Sequence, residues 1–140
     1  APIGTKISDI VEFCGGYKES PRKIIMGGPM MGVAIVGDDL PVIKQNNAIL
    51  FLAEDDAHLR EASACIKCGA CVRNCPLSLL PTTLEKAAER KDVDKLEVYD
   101  VRTCMECGCC SYVCPAARKL VQGIRLGKTY LKQAGGKKNG

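Results

Sequence analysis

The sequence has few aromatic side chains, one histidine and no long apolar run. It contains no tryptophan, two phenylalanines and four tyrosines, so aromatic packing is thin in any core that it forms. The single histidine, His58, stands in a charged stretch and is more simply a solvated side chain than a metal ligand. The longest apolar run, 48–53, is far too short for a membrane-spanning helix.

Cysteine, by contrast, is abundant: eight of the ten cysteines form two copies of one pattern. The pattern is C-x2-C-x2-C-x3-C followed by proline. It comprises Cys65, Cys68, Cys71 and Cys75 in the first copy, and Cys104, Cys107, Cys110 and Cys114 in the second. This spacing is typical of [4Fe–4S] ligation in two-cluster ferredoxins. It predicts two such clusters and an electron-transfer function.

The fourth cysteine of each copy precedes a proline, and we expect it to point away from its own loop. In two-cluster ferredoxins this cysteine binds the other cluster. Gly69 and Gly108, each directly after the second cysteine, permit the tight turn that wraps three corners of a cubane. We therefore predict crossed ligation, with cluster I bound by Cys65, Cys68, Cys71 and Cys114, and cluster II by Cys104, Cys107, Cys110 and Cys75.

Two other uses of cysteine fit this pattern less well. Zinc ribbons use paired C-x2-C knuckles and need no third and fourth cysteine in fixed register. A disulfide scaffold would follow a signal peptide and have staggered cysteines, whereas these are duplicated. The two remaining cysteines, Cys14 and Cys109, are expected to be small buried residues.

Positive charge is concentrated at the C-terminus, where 118–140 contains seven basic residues and no acidic one. This run indicates either a solvated helix face and tail or a surface for an acidic partner or membrane headgroups. The formal charge of the whole chain is +4. Eight bound thiolates and two cationic cluster cores would bring it to about zero, so the basic balance does not indicate nucleic-acid binding.

The remaining pattern predicts an α+β chain in four parts. Residues 1–53 should contain a helix at 6–13, capped by Thr5, and short strands at 23–26, 33–36 and 48–52. A charged linker at 54–63 leads to a cluster module at 64–119. Its insert between the two cysteine motifs predicts one helix from Thr82 or Thr83 to Arg90 and another at 92–99. The last part, 120–140, predicts a helix to about residue 133, stopped by Gly135 and Gly136, and a basic tail.

Longer stretches of sequence accompany the cysteines and narrow the interpretation. They are 3–5, 9–16, 26–32, 41–44, 47–50, 104–115 and 120–122. Together they resemble the RnfC family, a component of the Rnf electron-transport complex, over nearly the whole chain. This complex is an ion-translocating ferredoxin:NAD⁺ oxidoreductase. Residues 116–119, Ala-Ala-Arg-Lys, differ from the family pattern, but none of the cysteines is changed.

The resemblance implies a partial β-grasp segment of the SLBB type followed by an α-helical dicluster ferredoxin module. It implies that the two [4Fe–4S] clusters relay single electrons from the ferredoxin-type component RnfB towards a flavin that reduces NAD⁺. FMN and NAD are expected only in a preceding part of the full subunit. The expected partners are the other Rnf subunits, at the cytoplasmic face of the bacterial inner membrane and through peripheral attachment. No catalytic residue is expected in this chain.

Two alternatives remain at the level of sequence. A cobalamin reductase of propanediol-degrading compartments has similar domains. The sequence around its cluster ligands, however, lacks the Glu-Cys-Gly-Cys-Cys-Ser-Tyr segment found here at 106–112. A protein of a different class would be an interaction module that the metal stabilises without redox chemistry.

Overall fold

A computed structural model describes residues 1–54, 57 and 60–137. The chain divides into two compact units, 1–59 and 60–140. His58 and part of the predicted linker lie outside the described residues. Among the residues described, no helix is long and apolar enough to cross a lipid bilayer.

The first unit contains one helix and a small antiparallel sheet. Helix α1 spans Ile7–Phe13, and the strands are β1 (Lys23–Met26), β2 (Val33–Ile35) and β3 (Ile49–Leu52), in the order β2-β1-β3. The central strand buries the β-branched pair Ile24 and Ile25. Helix α1 buries Ile7 and Val11, which lie one turn apart on the same face. The helix and strand predictions for this unit are confirmed to within one residue at each end.

Two details of the first unit differ from the sequence prediction. Thr5 does not cap α1, because its hydroxyl donates to Pro2 O at 2.8 Å instead, and no side chain caps this helix. Cys14, predicted to be a core residue, is exposed where the helix ends. The helix closes there in a glycine turn, in which the Gly16 N–H donates to Val11 O at 2.9 Å.

The second unit is helical. Its helices are α2 (Ala70–Arg73), α3 (Pro81–Glu89), α4 (Val93–Val98), α5 (Cys109–Tyr112) and α6 (Leu120–Lys137), with a 3-10 turn at Val101–Thr103. Helix α6 packs along α3 and α4, and its Ile124 and Leu131 join Leu84, Leu96 and Val101 in one apolar core. A helical unit therefore follows a small sheet, and the predicted α+β class is confirmed.

Two glycines allow α6 to lie close to its neighbours. A Cβ added at Gly123 would lie 2.8 Å from Glu85 Cγ. One added at Gly127 would lie 2.8 Å from Leu96 Cδ2 and 3.3 Å from Ala88 Cβ. Larger side chains would therefore push α6 away from α3 and α4. The sequence prediction did not single out these glycines, although their four-residue spacing on one helix face is a usable signal.

The helices in the cysteine insert are confirmed, but some helix ends are set differently from the prediction. Helix α3 begins with Pro81 at its first position, where proline's missing N–H has no partner to lose, and neither predicted threonine caps it. Asp92 caps α4 by accepting a hydrogen bond from Lys95 N at 3.1 Å. Helix α6 continues through Gly135 to Lys137, so the glycine pair does not end it.

Candidate metal centres

The two cysteine loops have matching backbone conformations. Three positions in each loop adopt the left-handed region, which is uncommon for residues other than glycine. They are, in the first and second loop respectively, Lys67 and Glu106 (both φ 58°), Gly69 and Gly108 (72° and 85°), and Ser78 and Ala117 (52° and 50°). Each loop then enters a one-turn helix, α2 or α5, with its glycine at the N-cap. The repeat in the sequence is therefore also a repeat in the structure.

One cavity brings together the four cysteines that are predicted to bind cluster II. Its wall includes Cys75 from the first motif and Cys104, Cys107 and Cys110 from the second. Much of the remaining wall is apolar and comes from α6, from Pro81 at the start of α3 and from the chain between Cys75 and that helix. Four thiols around such a cavity are the donor set that a [4Fe–4S] cluster requires. Within the part of the chain that is described, no three Cys, His, Asp or Glu side chains are arranged to bind a single metal ion.

The start of the first loop lies beside the end of the second motif. Ser63 N–H donates to Ala116 O at 2.9 Å, which joins the chain two residues before Cys65 to the chain two residues after Cys114. Cys114 also packs against the apolar cluster that contains Cys71 and Cys110. The structure therefore brings the fourth cysteine of each motif to the other loop.

Burial distinguishes the third cysteine of each motif. Cys71 and Cys110 are buried, whereas Cys68 is exposed. Burial raises the pKa of the Cys110 thiol to about 11 and raises the pKa of Cys71 as well. Both thiols are therefore protonated at neutral pH when no metal is bound, and any metal that they bound would have to displace their protons.

Backbone amides donate to two of the sulfurs that line the cavity. Leu79 N–H donates to Cys75 Sγ at 3.4 Å, and Glu106 N–H donates to Cys104 Sγ at 3.4 Å. Hydrogen bonds to cluster sulfurs are one of the means by which proteins set the reduction potential of a cluster. The candidate thiols of Cys75 and Cys104 thus already accept amide hydrogen bonds.

Helix α6 holds the second loop through two basic side chains. Arg125 Nε donates to Glu106 Oε2 at 2.8 Å. Lys128 Nζ donates to Glu106 Oε1 at 2.7 Å and to Cys104 O at 2.6 Å. Burial by itself would raise the pKa of Glu106, but the hydrogen bonds and charges of Lys128 and Arg125 outweigh it and lower that pKa. Glu106 is therefore ionised at neutral pH.

Arg118 forms a second ion cluster, with two carboxylates of α3. Its Nη2 lies 2.8 Å from Glu85 Oε2 and 3.3 Å from Glu89 Oε1. The side chain of Glu85 is only 7% exposed, and its hydrogen bond raises the pKa of Arg118. Arg118, Arg125 and Lys128 thus form ion pairs within the second unit. The sequence alone predicts that the basic residues of 118–140 are solvated or form a docking surface.

Cys109 lies outside the ligand candidates. It is half-buried, less than predicted, and it does not line the cavity that contains its neighbour Cys110. A hydrogen bond with Cys107 is the main cause that raises the pKa of Cys109.

The sequence prediction also missed the role of Ser111. Its Oγ accepts a hydrogen bond from Val121 N at 3.1 Å in the first turn of α6.

Two loops of this kind on one helical unit define the class of dicluster iron–sulfur proteins. A family model described as a 4Fe-4S dicluster domain matches residues 57–124. Another, described as an SLBB domain, matches residues 1–34. These matches confirm the predicted order of an SLBB-like segment followed by a dicluster module.

Relatives match nearly the whole chain, and each is the subunit designated C of its complex. The chain is 47% identical over 135 residues to that of the proton-translocating ferredoxin:NAD(+) oxidoreductase complex of Clostridium ljungdahlii, covering 95% of this chain and 29% of that protein. It is 46% identical over 129 residues to that of the ion-translocating oxidoreductase complex of Methanosarcina acetivorans, covering 92% and 29%. It is 44% identical over 126 residues to that of the Na(+)-translocating ferredoxin:NAD(+) oxidoreductase complex of Acetobacterium woodii, covering 90% and 28%.

The chain belongs to this family, RnfC of the ion-translocating oxidoreductase complexes, and the resemblance drawn from its sequence is confirmed. It spans less than a third of the length of these three relatives. Membership of this family favours the Rnf interpretation over a cobalamin reductase.

Proposed function

We propose that this chain is an electron relay that holds two [4Fe–4S] clusters within an ion-translocating ferredoxin:NAD⁺ oxidoreductase complex. The observation that carries the proposal is the cavity that gathers Cys75 with Cys104, Cys107 and Cys110. Thiols from both motifs around one space suit clusters that are shared between the loops. The names of the relatives supply the type of complex.

The proposed ligands are crossed. Cys65, Cys68, Cys71 and Cys114 bind cluster I, and Cys104, Cys107, Cys110 and Cys75 bind cluster II. Cys114 packs against the apolar cluster that contains Cys71 and interacts electrostatically with that thiol, and Cys75 lines the cavity of the second loop; both observations support this assignment. When bound, each cluster supplies one-electron redox chemistry. The protein's own groups hold the thiolates, exclude water and donate amide hydrogen bonds to sulfur.

In this proposal, the electron donor and the electron acceptor lie outside this chain. The electron donor is the ferredoxin-type component RnfB, and the acceptor is an FMN in another part of the full subunit, where NAD⁺ is reduced. The full subunit is attached peripherally to the cytoplasmic face of the bacterial inner membrane through the complex. Within the chain, the proposed parts are the SLBB-like segment at 1–53, the linker at 54–63, the cluster module at 64–119, and the C-terminal helix and basic tail at 120–140. This chain alone is not expected to turn over NAD⁺, and no nucleic acid is involved.

Anaerobic reconstitution with iron and sulfide tests the proposal. The expected product is brown, absorbs broadly in the blue and contains about eight irons per chain, as two cubanes require. After reduction with dithionite, EPR should show two magnetically coupled S = 1/2 signals. A colourless protein with two bound zinc ions would contradict iron–sulfur binding. Clusters that cannot be reduced would favour a non-redox interaction module.

A further inference from the structure

The two loops have different charged surroundings, although their backbones match. At the second loop, one carboxylate, that of Glu106, is bound by two cations, Arg125 and Lys128. Near the first loop, the arrangement is reversed, since one cation, Arg118, is bound by two carboxylates of α3. Arg118 lies near the first loop, because Ser63 N–H, two residues before Cys65, donates to Ala116 O at 2.9 Å. The candidate clusters therefore do not experience the same fixed charges.

Lys128 has the most direct link to a candidate cluster ligand. Its Nζ contacts both Cys104 O, at 2.6 Å, and Glu106 Oε1, at 2.7 Å. The N–H of Glu106 in turn donates to Cys104 Sγ at 3.4 Å. One ammonium group therefore fixes the peptide segment that donates to this sulfur. The side chain of Lys128 is 27% exposed, so water and salt screen its charge only in part.

We propose that Lys128 is a positioning residue that holds the second loop and raises the reduction potential of cluster II above that of cluster I. The inference rests on the proposed function, because it requires both clusters. Reduction adds one negative charge to a cluster, and a fixed cation nearby stabilises the reduced form. With both clusters bound, transfer of an electron from cluster I to cluster II would therefore be favourable.

At the first loop, the counterpart of Lys128 is Arg73, whose Nη1 donates to Cys68 O at 2.9 Å. Arg73 is exposed, so solvent screens its charge more strongly than that of Lys128, and no described contact joins it to an N–H that donates to a cysteine sulfur.

Lys67 stands where the second loop has Glu106, but it is exposed, and solvent screens an exposed charge strongly. The charge of Arg118 is offset by Glu85 and Glu89. The difference in surroundings therefore favours the higher potential at cluster II.

Redox titration followed by EPR, on the full 140-residue chain reconstituted with iron and sulfide, tests the role of Lys128. Lys128→Met should lower the higher of the two midpoint potentials and leave the lower one in place. Lys128→Arg keeps the charge and should restore the wild-type value. Glu106→Gln removes a negative charge and should move the same potential upwards. Lys132→Met removes an exposed charge one turn further along α6 and should change neither potential.

The opposite directions separate a charge effect from a damaged loop. If Lys128→Met and Glu106→Gln shifted the potential in the same direction, the loop would simply be distorted and the inference would be overturned. Unchanged potentials, or a shift of the lower one, would also overturn it. If Lys128→Met failed to hold its clusters, Glu106→Gln would still decide the question. If the reconstituted wild-type chain did not bind two clusters, the proposed function itself would be contradicted.

Discussion

Lys67 and Glu106 occupy equivalent positions in the two cysteine loops and share a φ of 58°, yet they carry opposite charges. Lys67 is exposed, whereas Glu106 is bound by Arg125 and Lys128 of α6. The protein thus uses one backbone conformation twice and surrounds each copy with different charges. Because nearby charge and solvent exposure both set cluster potentials, repeated loops of this kind can hold two clusters that are not equivalent.

Crossed ligation predicts which pairs of cysteine substitutions act on the same cluster. Cys75 and Cys107 line one cavity. The double variant Cys75→Ala/Cys107→Ala should therefore lose cluster II alone and retain about four irons per chain. If each motif bound its own cluster, this variant would lose both and retain almost no iron. Iron and sulfide analysis of the reconstituted protein distinguishes the two results.

A matched pair provides the control for this experiment. Cys68→Ala/Cys75→Ala removes two thiols of the same motif, and crossed ligation predicts the loss of both clusters. Cys109→Ala removes the half-buried thiol that does not line the cavity, and it should retain about eight irons. Loss of iron from this variant would make Cys109 a ligand.

Removal of iron should unfold part of the second unit. Helices α2 and α5 have four residues each, too few for stability without tertiary support, and cluster binding contributes folding free energy. After anaerobic chelation, we expect amide hydrogen exchange to lose its protection across both cysteine loops. Strand β1 contains no cysteine and serves as the internal control. Unchanged exchange in the loops of the iron-free chain would contradict the prediction.

Gly127→Ala should destabilise the protein even though alanine is the better helix former. The added Cβ would lie 2.8 Å from Leu96 Cδ2 and 3.3 Å from Ala88 Cβ, and overpacking of this kind costs about 1–3 kcal/mol. Alanine's advantage over glycine within a helix is about 1 kcal/mol, so the steric cost should prevail. The measurement is the denaturant midpoint of the iron-loaded chain.

Gly135→Ala is the control on the same helix, because a Cβ there would meet no atom within 4 Å. This variant should be neutral or stabilised by up to about 1 kcal/mol. A Gly127→Ala protein as stable as Gly135→Ala would show that α6 does not pack this closely against α4.

The first unit should lose stability at alkaline pH through Tyr17. Its hydroxyl donates to Asp38 Oδ2 at 2.7 Å. Burial, followed by this hydrogen bond and the negative charge of Asp38, raises the pKa of Tyr17 from 10.0 to about 12. Because the folded pKa is the higher one, this contribution is present below pH 10.0 and is lost as the pH rises towards about 12.

The ultraviolet absorbance of phenolate, taken as the difference from Tyr17→Phe, reports this titration directly. Asp38→Asn should lower the pKa of Tyr17, because the negative charge is removed. A wild-type Tyr17 that titrates like a free tyrosine would show that the contact with Asp38 does not form. The same measurement therefore reports whether this SLBB-like segment folds in the isolated chain.

Local pattern was sufficient for most secondary structure, and the choice of candidate ligands also rests on it. Strand β1 was predicted at its observed bounds, because a β-branched pair between turn residues favours a strand at short range. The helix caps were harder to predict from the sequence. Thr5 has the right residue type for a cap, but its hydroxyl is bonded to Pro2, and Cys14 faces solvent because a glycine turn ends α1 there. Such choices depend on which partner is nearer in the folded chain.

The sequence by itself determined that two copies of a four-cysteine motif exist and that together they have the residue types and spacing of [4Fe–4S] ligands, because that chemistry is set locally. Only the tertiary structure decided what surrounds each copy. The bonds from Lys128 to Cys104 and Glu106 cross more than twenty residues, and the pair of Arg118 with Glu85 crosses more than thirty. Contacts of this range depend on how α6 packs on α3 and α4, and no short stretch of sequence contains that information.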